Sequence, residues 1–396
     1  MTITLPPDVK NIIDTLQSHN HEAYIVGGCV RDSIMDIFPK DWDITTSAQP
    51  HEVAGIFPRT AETGIKHGTI TVLINHSPYE VTTYRLDGEY LDNRRPESVT
   101  FTRNINEDLS RRDFTINAIA YNPAKGFVDP FGGQDDISRK IIRCVGSPKE
   151  RFGEDALRML RAIRFAGQLG FTVDEATLEA ISAKSANLAY ISAERIRIEL
   201  TRLLSSPNTE AVTLLETAGL LPYILCGHNY EGSISQIIPL LANCPEDEAL
   251  RIAIFFVWSG DTSGKLLRAL RFDNKTIRDV SMYISLIHTN IPHNRYEIKK
   301  FLRQMPQEMF EKLLLLQSIF YPKKTENLTA IRLEARDIHA KKECFTLANL
   351  SVKGEDLIAA GFPPGKAIGD KLEELLDGVM REPGLNDSLH DVIAGK

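Results

Sequence analysis

Residues 26–43 read Val-Gly-Gly-Cys-Val-Arg-Asp-Ser-Ile-Met-Asp-Ile-Phe-Pro-Lys-Asp-Trp-Asp, and this stretch decides the fold. It starts where the short apolar run Ala23–Val26 ends, so the two glycines are predicted to form a turn after a strand. Such a turn lets backbone N–H groups approach a phosphate closely. Asp41 and Asp43 stand one residue apart, and on an extended chain both carboxylates point to the same face. The stretch therefore predicts a phosphate-binding turn beside a carboxylate pair, which is the equipment that nucleotide transfer requires.

The carboxylate pair is a candidate magnesium site. Mg²⁺ prefers carboxylate oxygens and completes its coordination with waters and substrate phosphates. Glu80 is the candidate third carboxylate, because it stands between apolar residues on a second predicted strand, Glu80–Tyr84; the alternative is an ordinary charge on an edge strand. Metal ions held here would lower the pKa of an attacking hydroxyl and neutralise a leaving pyrophosphate. Asp41, Asp43 and Glu80 are thus the predicted catalytic residues.

A second cluster of polar residues lies at 111–118, Arg-Arg-Asp-Phe-Thr-Ile-Asn-Ala. Arg112 is predicted to bind phosphate. Asp113 has two interpretations that the sequence leaves open. It could accept a hydrogen bond from a ribose hydroxyl, or it could cap an apolar helix predicted to follow it.

A third cluster lies on a predicted helix, Glu154–Gln168. Asp155 and Arg158 are three residues apart and would be neighbours on one helix face. They could form a surface ion pair, or they could read a base. Cytosine and adenine each present an amino donor beside a ring acceptor, and uracil and guanine present the reverse order, so an Asp–Arg pair would accept C and A and reject U and G. Arg161 and Arg164, further along the helix, could reach other parts of the same ligand.

Composition narrows the class of protein. The chain has 396 residues, of which 42% are hydrophobic and 25% charged, so two or three ordinary folded units are expected. It has no apolar run of 18 residues and no basic start followed by an apolar stretch, which favours neither a membrane span nor a secretory signal. Five widely spaced cysteines are expected to be reduced, and a cytoplasmic location is predicted.

Charge is distributed unevenly along the chain. The net charge is −7, yet residues 265–342 contain 16 Lys/Arg against 8 Asp/Glu. This excess is compatible with a solvated helical surface or with a face that binds a polyanion. Alternating strand-like segments fill the first 147 residues, and helical patterns follow almost without interruption. The sequence therefore predicts an α+β protein, with a small mixed head and a long α-helical remainder.

Taken together, these motifs resemble the bacterial-type (class II) CCA-adding tRNA nucleotidyltransferases of the polymerase-β nucleotidyltransferase superfamily. The matching segments, in chain order, are the glycine and Asp-x-Asp motif at 27–43, a polar loop at 85–99, RRDFTINA at 111–118, DPFGG at 129–133, EDALRMLRAIRFA at 154–166 and ERIRIEL at 194–200. The resemblance implies a polymerase-β-like catalytic head at 1–147. It further implies an all-α neck at 148–205 that recognises the base, a helical body at 206–285 and a helical tail at 286–396 that binds tRNA.

The resemblance also implies the activity and the ligands. The expected reaction is template-independent addition of CCA to the 3′ end of tRNA from CTP and ATP, with release of pyrophosphate and with Mg²⁺ on Asp41 and Asp43. The expected partner is the tRNA acceptor arm, with no membrane, and the protein is expected to be a monomer or a homodimer. Residues implied to contact the incoming nucleotide are Gly28, Arg31, Arg112, Asp155, Arg158, Arg161 and Arg164, and Asp113 is added from the argument above.

Related activities are the alternatives. Enzymes that add only CC lack the loop that permits the change from C to A, and that loop, with Glu89, Tyr90, Arg94, Arg95 and Pro96, has full length here. Poly(A) polymerases share the motifs but usually carry a strongly basic extension, which is not expected in this acidic chain. A catalytically silent RNA-binding relative would not need the Asp-x-Asp pair. A transferase for small molecules would leave the basic helical half without a purpose.

One position departs from the family pattern. Asp36 stands where the family usually has glycine, at a point that should end a helix in the left-handed conformation. Aspartate tolerates that conformation less well than glycine does, so some local strain is expected before Asp41.

Overall fold

The structure, a computed structural model, describes residues 1–88, 98–228 and 230–395. These residues form two compact units, Met1–Ala242 with Lys265–Phe272, and Asn243–Gly264 with Asp273–Lys396. The division into four domains at 147, 205 and 285 stays a prediction. Among the described residues, no helix is both long enough and apolar enough to cross a membrane.

The strands lie in the first unit. They are β1 (Ala23–Val26), β2 (Ile44–Thr46), β3 (Thr60–Gly64), β4 (Thr69–Ile74), β5 (Ser77–Thr83), β6 (Arg85–Asp87), β7 (Val99–Phe101), β8 (Ala120–Asn122), β9 (Gly126–Val128), β10 (Ile141–Ile142) and β11 (Thr172–Val173). In the described part of the chain, seven of them form one mixed sheet in the order β3-β4-β5-β2-β1-β8-β9. The β2–β5 pair is parallel, and the other neighbours in the sheet are antiparallel.

Helices surround the sheet and make up most of the remaining chain. Up to residue 242 they are α1 (Pro7–Ser18), α2 (Gly28–Ile34), α3 (Pro50–Ile56), α4 (Ile105–Ser110), α5 (Gly133–Arg139), α6 (Pro148–Glu154), α7 (Leu157–Leu169), α8 (Glu175–Lys184), α9 (Ala193–Leu204), α10 (Leu214–Thr217), α11 (Leu221–Ile224) and α12 (Ile234–Ala242). The chain continues with α13 (Glu248–Phe256), α14 (Lys265–Ala269), α15 (Asn274–Leu286), α16 (Arg295–Gln304), α17 (Gln307–Phe320), α18 (Thr325–Ala340), α19 (Gly354–Ala359), α20 (Lys366–Arg381) and α21 (Leu385–Ile393).

The two faces of the sheet have different roles. Helix α1 buries an apolar stripe at helical spacing, Val9, Ile12, Ile13 and Leu16, against one face, which also contacts α3. The opposite face is covered by α4, whose Ile105 and Leu109 pack with Tyr24, Val26 and Tyr84. Since Tyr24 pairs with Thr45 across β1 and β2, Thr45 lies on this second face, and so does Asp43 two residues before it. The α4 face therefore carries the catalytic candidates.

Two local features differ from or confirm the sequence expectations. The predicted continuous helix Glu154–Gln168 is interrupted, since α6 ends at Glu154, α7 begins at Leu157, and Asp155 is extended with φ −134° and ψ 103°. The Asp155 side chain stabilises this break, since its Oδ1 accepts from the N–H of Leu157, the first residue of α7, at 3.0 Å. Asp36 has φ 57°, as expected for the position after α2 that usually holds glycine.

The second unit has a core of its own. Nine buried residues pack together there: Cys344, Leu350, Val352, Leu357, Leu375, Leu376, Val379, Met380 and Leu389. Lys299 is fully buried, and its Nζ reaches Glu343 at 2.8 Å and the Met380 carbonyl at 3.0 Å, so its charge is compensated.

Candidate active site

The glycine turn between β1 and α2 has no room for a side chain. Gly27 has φ 81° and ψ −129°, a conformation that residues with a Cβ rarely adopt. A Cβ there would also lie 2.8 Å from Nη1 of Arg112. The turn is therefore glycine-rich for two reasons, its backbone geometry and the close approach of an arginine. Gly28, the predicted phosphate contact, is the first residue of α2.

The two residues of the Asp-x-Asp pair flank a buried aromatic side chain. Asp41 and Asp43 are exposed, whereas Trp42 between them is buried at 9% exposure and packs edge-on against Phe38. The main chain is held in place because the Val26 N–H donates to the Asp43 carbonyl at 3.0 Å. Neither carboxylate makes a hydrogen bond or an ion pair within the residues described here. The two carboxylates are therefore available to an external cation.

Electrostatics at Asp43 are consistent with such a cation. The protein packed around it raises the pKa of this carboxyl, and the neighbouring Asp41 raises it further, while Arg112 acts in the opposite direction. Two carboxylates that repel each other are stabilised by a divalent cation between them. Among the described residues, no group of three or more His, Cys, Asp and Glu side chains forms a complete metal cage. Mg²⁺ does not require one, since it commonly takes one or two carboxylates plus substrate phosphates.

Glu80 lies on β5, one strand away from β2. The parallel register pairs Ile44 with Val81, so Glu80 and Asp43 precede a matched pair and face the same side of the sheet. Glu80 is exposed, but it does not join the aspartates in a three-carboxylate cluster. Its catalytic role stays a prediction.

Arg112 lies at the centre of the site. Its Nη2 is 3.6 Å from Oδ2 of Asp108, and its charge also interacts with Asp43 and Asp113. Its Nε is buried and has no hydrogen-bond partner in the part of the chain that the structure describes. Burial lowers the pKa of Arg112, with Asp108 opposing that shift. A buried guanidinium N–H without an acceptor is a favourable donor for a phosphate oxygen.

Arg31 is already bonded inside the protein. Its Nη1 donates to Asn117 Oδ1 at 2.7 Å, and its Nε and Nη2 donate to Asp32 at 2.9 and 2.6 Å. Its guanidinium also lies over the ring of Phe165, 5.2 Å from the centroid. Arg31 would therefore have to exchange some of these bonds to hold a triphosphate.

The Asp113 carboxylate binds Arg161 of α7 and does not cap a helix that follows it. Its Oδ2 accepts from Arg161 Nε at 2.8 Å and Nη2 at 2.6 Å, and its Oδ1 accepts from the Phe114 N–H and from Asn117. Burial alone would raise the pKa of Asp113, but Arg161 and Asn117 hold it at about 2. The predicted capped helix is absent from this described segment, where one 3₁₀ turn, Thr115–Asn117, leads into β8. The cap interpretation was therefore wrong.

The base-reading pair has different partners from those the spacing suggested. Asp155 binds Arg195 of α9, with Nη1 to Oδ1 at 3.3 Å and Nη2 to Oδ2 at 2.7 Å. Arg158 instead donates to Glu154 at 2.5 Å and to the Arg111 carbonyl at 3.1 Å. The predicted contact between Asp155 and Arg158 as neighbours on one helix is wrong, because the helix begins only after Asp155. Their joint role in base recognition stays a prediction.

The remaining neck arginine, Arg164, is paired with Glu199 of α9 and also bonds Gln168 at 2.5 Å. Its guanidinium lies 3.9 Å from the centre of the Phe165 ring, and that of Arg161 lies 5.4 Å from the same centre. Three predicted ligands, Arg31, Arg161 and Arg164, thus surround one aromatic ring. Sequence reasoning missed Asp108, Glu154, Arg195 and Glu199, although the ERIRIEL motif that contains Arg195 and Glu199 was an available signal.

Comparison with known proteins identifies the family. Family models match residues 23–143 as "Poly A polymerase head domain", residues 170–231 as "Probable RNA and SrmB-binding site of polymerase A", and residues 245–388 as tRNA nucleotidyltransferase domain 2. The CCA-adding enzyme of Geobacillus sp. (strain WCH70) is 39% identical over 372 residues, which are 93% of this chain and 90% of that protein. The chain belongs to the CCA-adding enzymes. The predicted identity as a nucleotidyltransferase that adds CCA is thereby confirmed.

Solved CCA-adding enzymes confirm the fold. The enzyme of Bacillus stearothermophilus, solved in complex with CTP, is 33% identical and superposes with a TM-score of 0.81 over 96% of this chain and 94% of that one. The enzyme of Thermotoga maritima, complexed with tRNA, is 20% identical with a TM-score of 0.67 over 95% and 92%, and it shares the fold. A polymerase-β-like head followed by helices is therefore confirmed. Residues 89–97, most of the loop predicted to switch from C to A, lie outside the described residues.

Proposed function

We propose that this chain extends the 3′ end of tRNA by two C residues and one A, without a nucleic-acid template, from CTP and ATP and with release of pyrophosphate. The observation that carries this proposal is one cluster in the head. Asp41 and Asp43 are exposed carboxylates that follow the Gly27 turn, Asp43 interacts with the charge of Arg112, and within the described part of the chain neither carboxylate nor the buried Nε of Arg112 has a hydrogen-bond partner. The complexes of the Bacillus stearothermophilus enzyme with CTP and of the Thermotoga maritima enzyme with tRNA support the choice of ligands.

The proposed cation is Mg²⁺, held by Asp41 and Asp43. The donor set fits it, since both ligands are carboxylates with free oxygens. When bound, the ion supplies positive charge that favours ionisation of the tRNA 3′-hydroxyl and stabilises the pyrophosphate. Glu80 faces the same side of the sheet, and its negative charge is proposed to add to the electrostatic attraction for the cation.

The chain's own residues are proposed to bind and orient the nucleotide. Gly28 offers its backbone to the phosphates, and Arg31 and Arg112 supply guanidinium donors. Asp113 is saturated by Arg161 and Asn117, so its proposed part is to hold Arg161 in position beside a ribose. Arg164 is proposed to bind the nucleotide while Glu199 fixes it.

Base choice is proposed to come from Asp155 and Arg158. An acceptor beside a donor matches the edges of C and A, and a mismatched polar edge in a buried site is costly. Arg195 holds the Asp155 carboxylate through two donors, which fixes the direction in which its remaining lone pairs point. Because protein groups supply the whole pattern, no template strand is required.

The basic segment 265–342 is proposed to bind the tRNA backbone. Its excess of Lys and Arg predicts binding that weakens steeply as the salt concentration rises, as for proteins that neutralise several phosphates.

The test is to replace Asp41 with alanine and to measure incorporation and tRNA binding separately. Asp41→Ala should abolish incorporation of CMP and AMP while tRNA binding, followed by fluorescence anisotropy, stays near that of the unaltered chain. Asp135→Ala, which removes an exposed aspartate paired with Arg139 at 3.6 Å, is the control and should leave both unchanged. Undiminished incorporation by Asp41→Ala would refute the metal assignment.

A further inference from the structure

A fully buried carboxylate, Asp108, lies beneath the active-site cluster. It is 0% exposed. Its Oδ1 accepts from Arg111 through Nε at 3.0 Å and Nη2 at 2.8 Å, and from the backbone N–H of Arg85 at 3.3 Å. Its Oδ2 accepts from Thr45 Oγ1 at 3.3 Å and lies 3.6 Å from Arg112 Nη2. A carboxylate with this many partners is ionised and rigid.

These partners come from separate segments of the head. Thr45 follows Asp43 by two residues on β2, and both side chains lie on the α4 face of the sheet. Arg112 reaches from the end of α4 to the Gly27 turn, where its Nη1 would be 2.8 Å from a Cβ. Arg85 begins β6, which pairs with β7. The Asp108 carboxylate thus connects three parts of the head: β2, which follows Asp41 and Asp43, the side chain of Arg112, and the start of the β6–β7 pair.

The charges around Asp108 keep it ionised, and its charge decides which carboxylate attracts Arg112. Burial would raise the pKa of Asp108, but Arg111 and Arg112 outweigh burial and lower it, so the carboxylate stays charged. With its negative charge in place, Asp108 forms an ion pair with Nη2 of Arg112 at 3.6 Å, while Nε of Arg112 has no hydrogen-bond partner among the described residues. Without that charge, Arg112 would be attracted by Asp43 and Asp113, the other carboxylates with which it interacts.

We propose that Asp108 is a positioning residue that holds Arg112 against the glycine turn, in the orientation that binds the nucleotide phosphates. This inference rests on the proposed function of the site. Asp108 itself does not touch the substrate and acts through Arg112, with Thr45 tying it to the strand that follows the metal ligands.

The test compares Asp108→Asn with a control of similar structural cost. Asp108→Asn preserves shape but removes the charge, and it should raise the KM for CTP about tenfold, the equivalent of one charge-assisted hydrogen bond, with a much smaller change in kcat. The control is Asn122→Ala. Asn122 is 1% exposed, donates to the Ala23 carbonyl at 2.8 Å and accepts from the Ala124 N–H at 2.8 Å, at the end of β1 remote from Gly27. Asn122→Ala should lower Tm and leave the KM for CTP unchanged.

A double-mutant cycle separates positioning from stability. If Asp108 acts through Arg112, then Asp108→Asn should change the KM for CTP by less than twofold in an Arg112→Met background. Independent, multiplicative effects of the two substitutions would overturn the inference, and so would a variant Asp108→Asn that loses only Tm.

Calorimetric binding of CTP in the absence of tRNA separates this inference from the function on which it rests. If the unaltered chain binds no CTP, the proposed function of the site fails. If the unaltered chain binds CTP and Asp108→Asn binds it equally well, only the positioning role fails.

Discussion

Replacing Gly27 with alanine should damage nucleotide binding far more than it damages folding. The substitution places a Cβ 2.8 Å from Arg112 Nη1, so the guanidinium must retreat by about 0.6 Å to reach the 3.4 Å of ordinary contact. Nη1 is the end of a flexible side chain and can yield. The stability cost is then mainly backbone strain at φ 81°, about 1–3 kcal/mol.

The displacement of the Arg112 guanidinium is expected to lower the activity. A misplacement of 1 Å in a catalytic site costs on the order of 100-fold, so a shift of this size should lower kcat/KM for CTP by about tenfold or more. Gly126 offers a matched control, because it has φ 80° and no heavy atom within 4 Å of an added Cβ. Gly126→Ala should lower Tm through strain at its positive φ but leave the kinetics normal.

The assay is steady-state incorporation of one CMP into tRNA lacking its 3′ CCA, together with Tm for both variants. We expect a lower Tm for both variants and a tenfold difference in kcat/KM between them. Equal kinetics for Gly27→Ala and Gly126→Ala would refute the claim that Arg112 must occupy its observed place.

Three further predictions concern α9, the loop at 85–99 and Asp113. Arg195→Met frees the Asp155 carboxylate and should lower discrimination against UTP about tenfold. Arg197→Met, on the same helix, is the control and should not change it. Unchanged discrimination by Arg195→Met, in a kinetic comparison of CTP with UTP, would exclude a role for Arg195. Deleting residues 89–97 should leave C addition intact and abolish A addition, and a gel in which A is still added would contradict the loop assignment. Asp113 has a pKa of about 2, below its value in the unfolded chain, so its ionised form adds about 2 kcal/mol to the free energy of unfolding above pH 4. This contribution disappears as the pH falls through 2. Asp113→Asn should therefore flatten that part of the curve of stability against pH, and an unchanged slope would count against the pairing with Arg161.

Local sequence patterns predicted the framework of the head. The run Ala23–Val26 forms a strand with those bounds, and the predicted strand Glu80–Tyr84 overlaps β5, Ser77–Thr83, because β-branched and apolar residues bounded by turn residues are a sufficient local signal. At the Asp-x-Asp motif both aspartates are exposed and Trp42 between them is buried. The aspartates themselves lie outside the strand, since β2 begins at Ile44, although the Asp43 carbonyl still accepts from Val26 of β1 at 3.0 Å.

Partner choice among charged residues could not be predicted in the same way. Helical spacing placed Asp155 beside Arg158, but a side-chain cap ended one helix and began another at that point. The carboxylate then met Arg195, which is 40 residues away in sequence. Asp108 gave no signal either, because its burial depends on packing of α4 against the sheet. Long-range pairing of this kind depends on tertiary structure, which a single sequence does not encode locally.

The most direct measurement is a gel at single-nucleotide resolution of tRNA lacking its 3′ CCA, incubated with this protein, Mg²⁺ and CTP, ATP, both nucleotides, or UTP. We expect two additions with CTP alone, a third only when ATP is also present, and none with UTP. A ladder of many A residues, a stop after two additions with both nucleotides present, or no extension at all would contradict it.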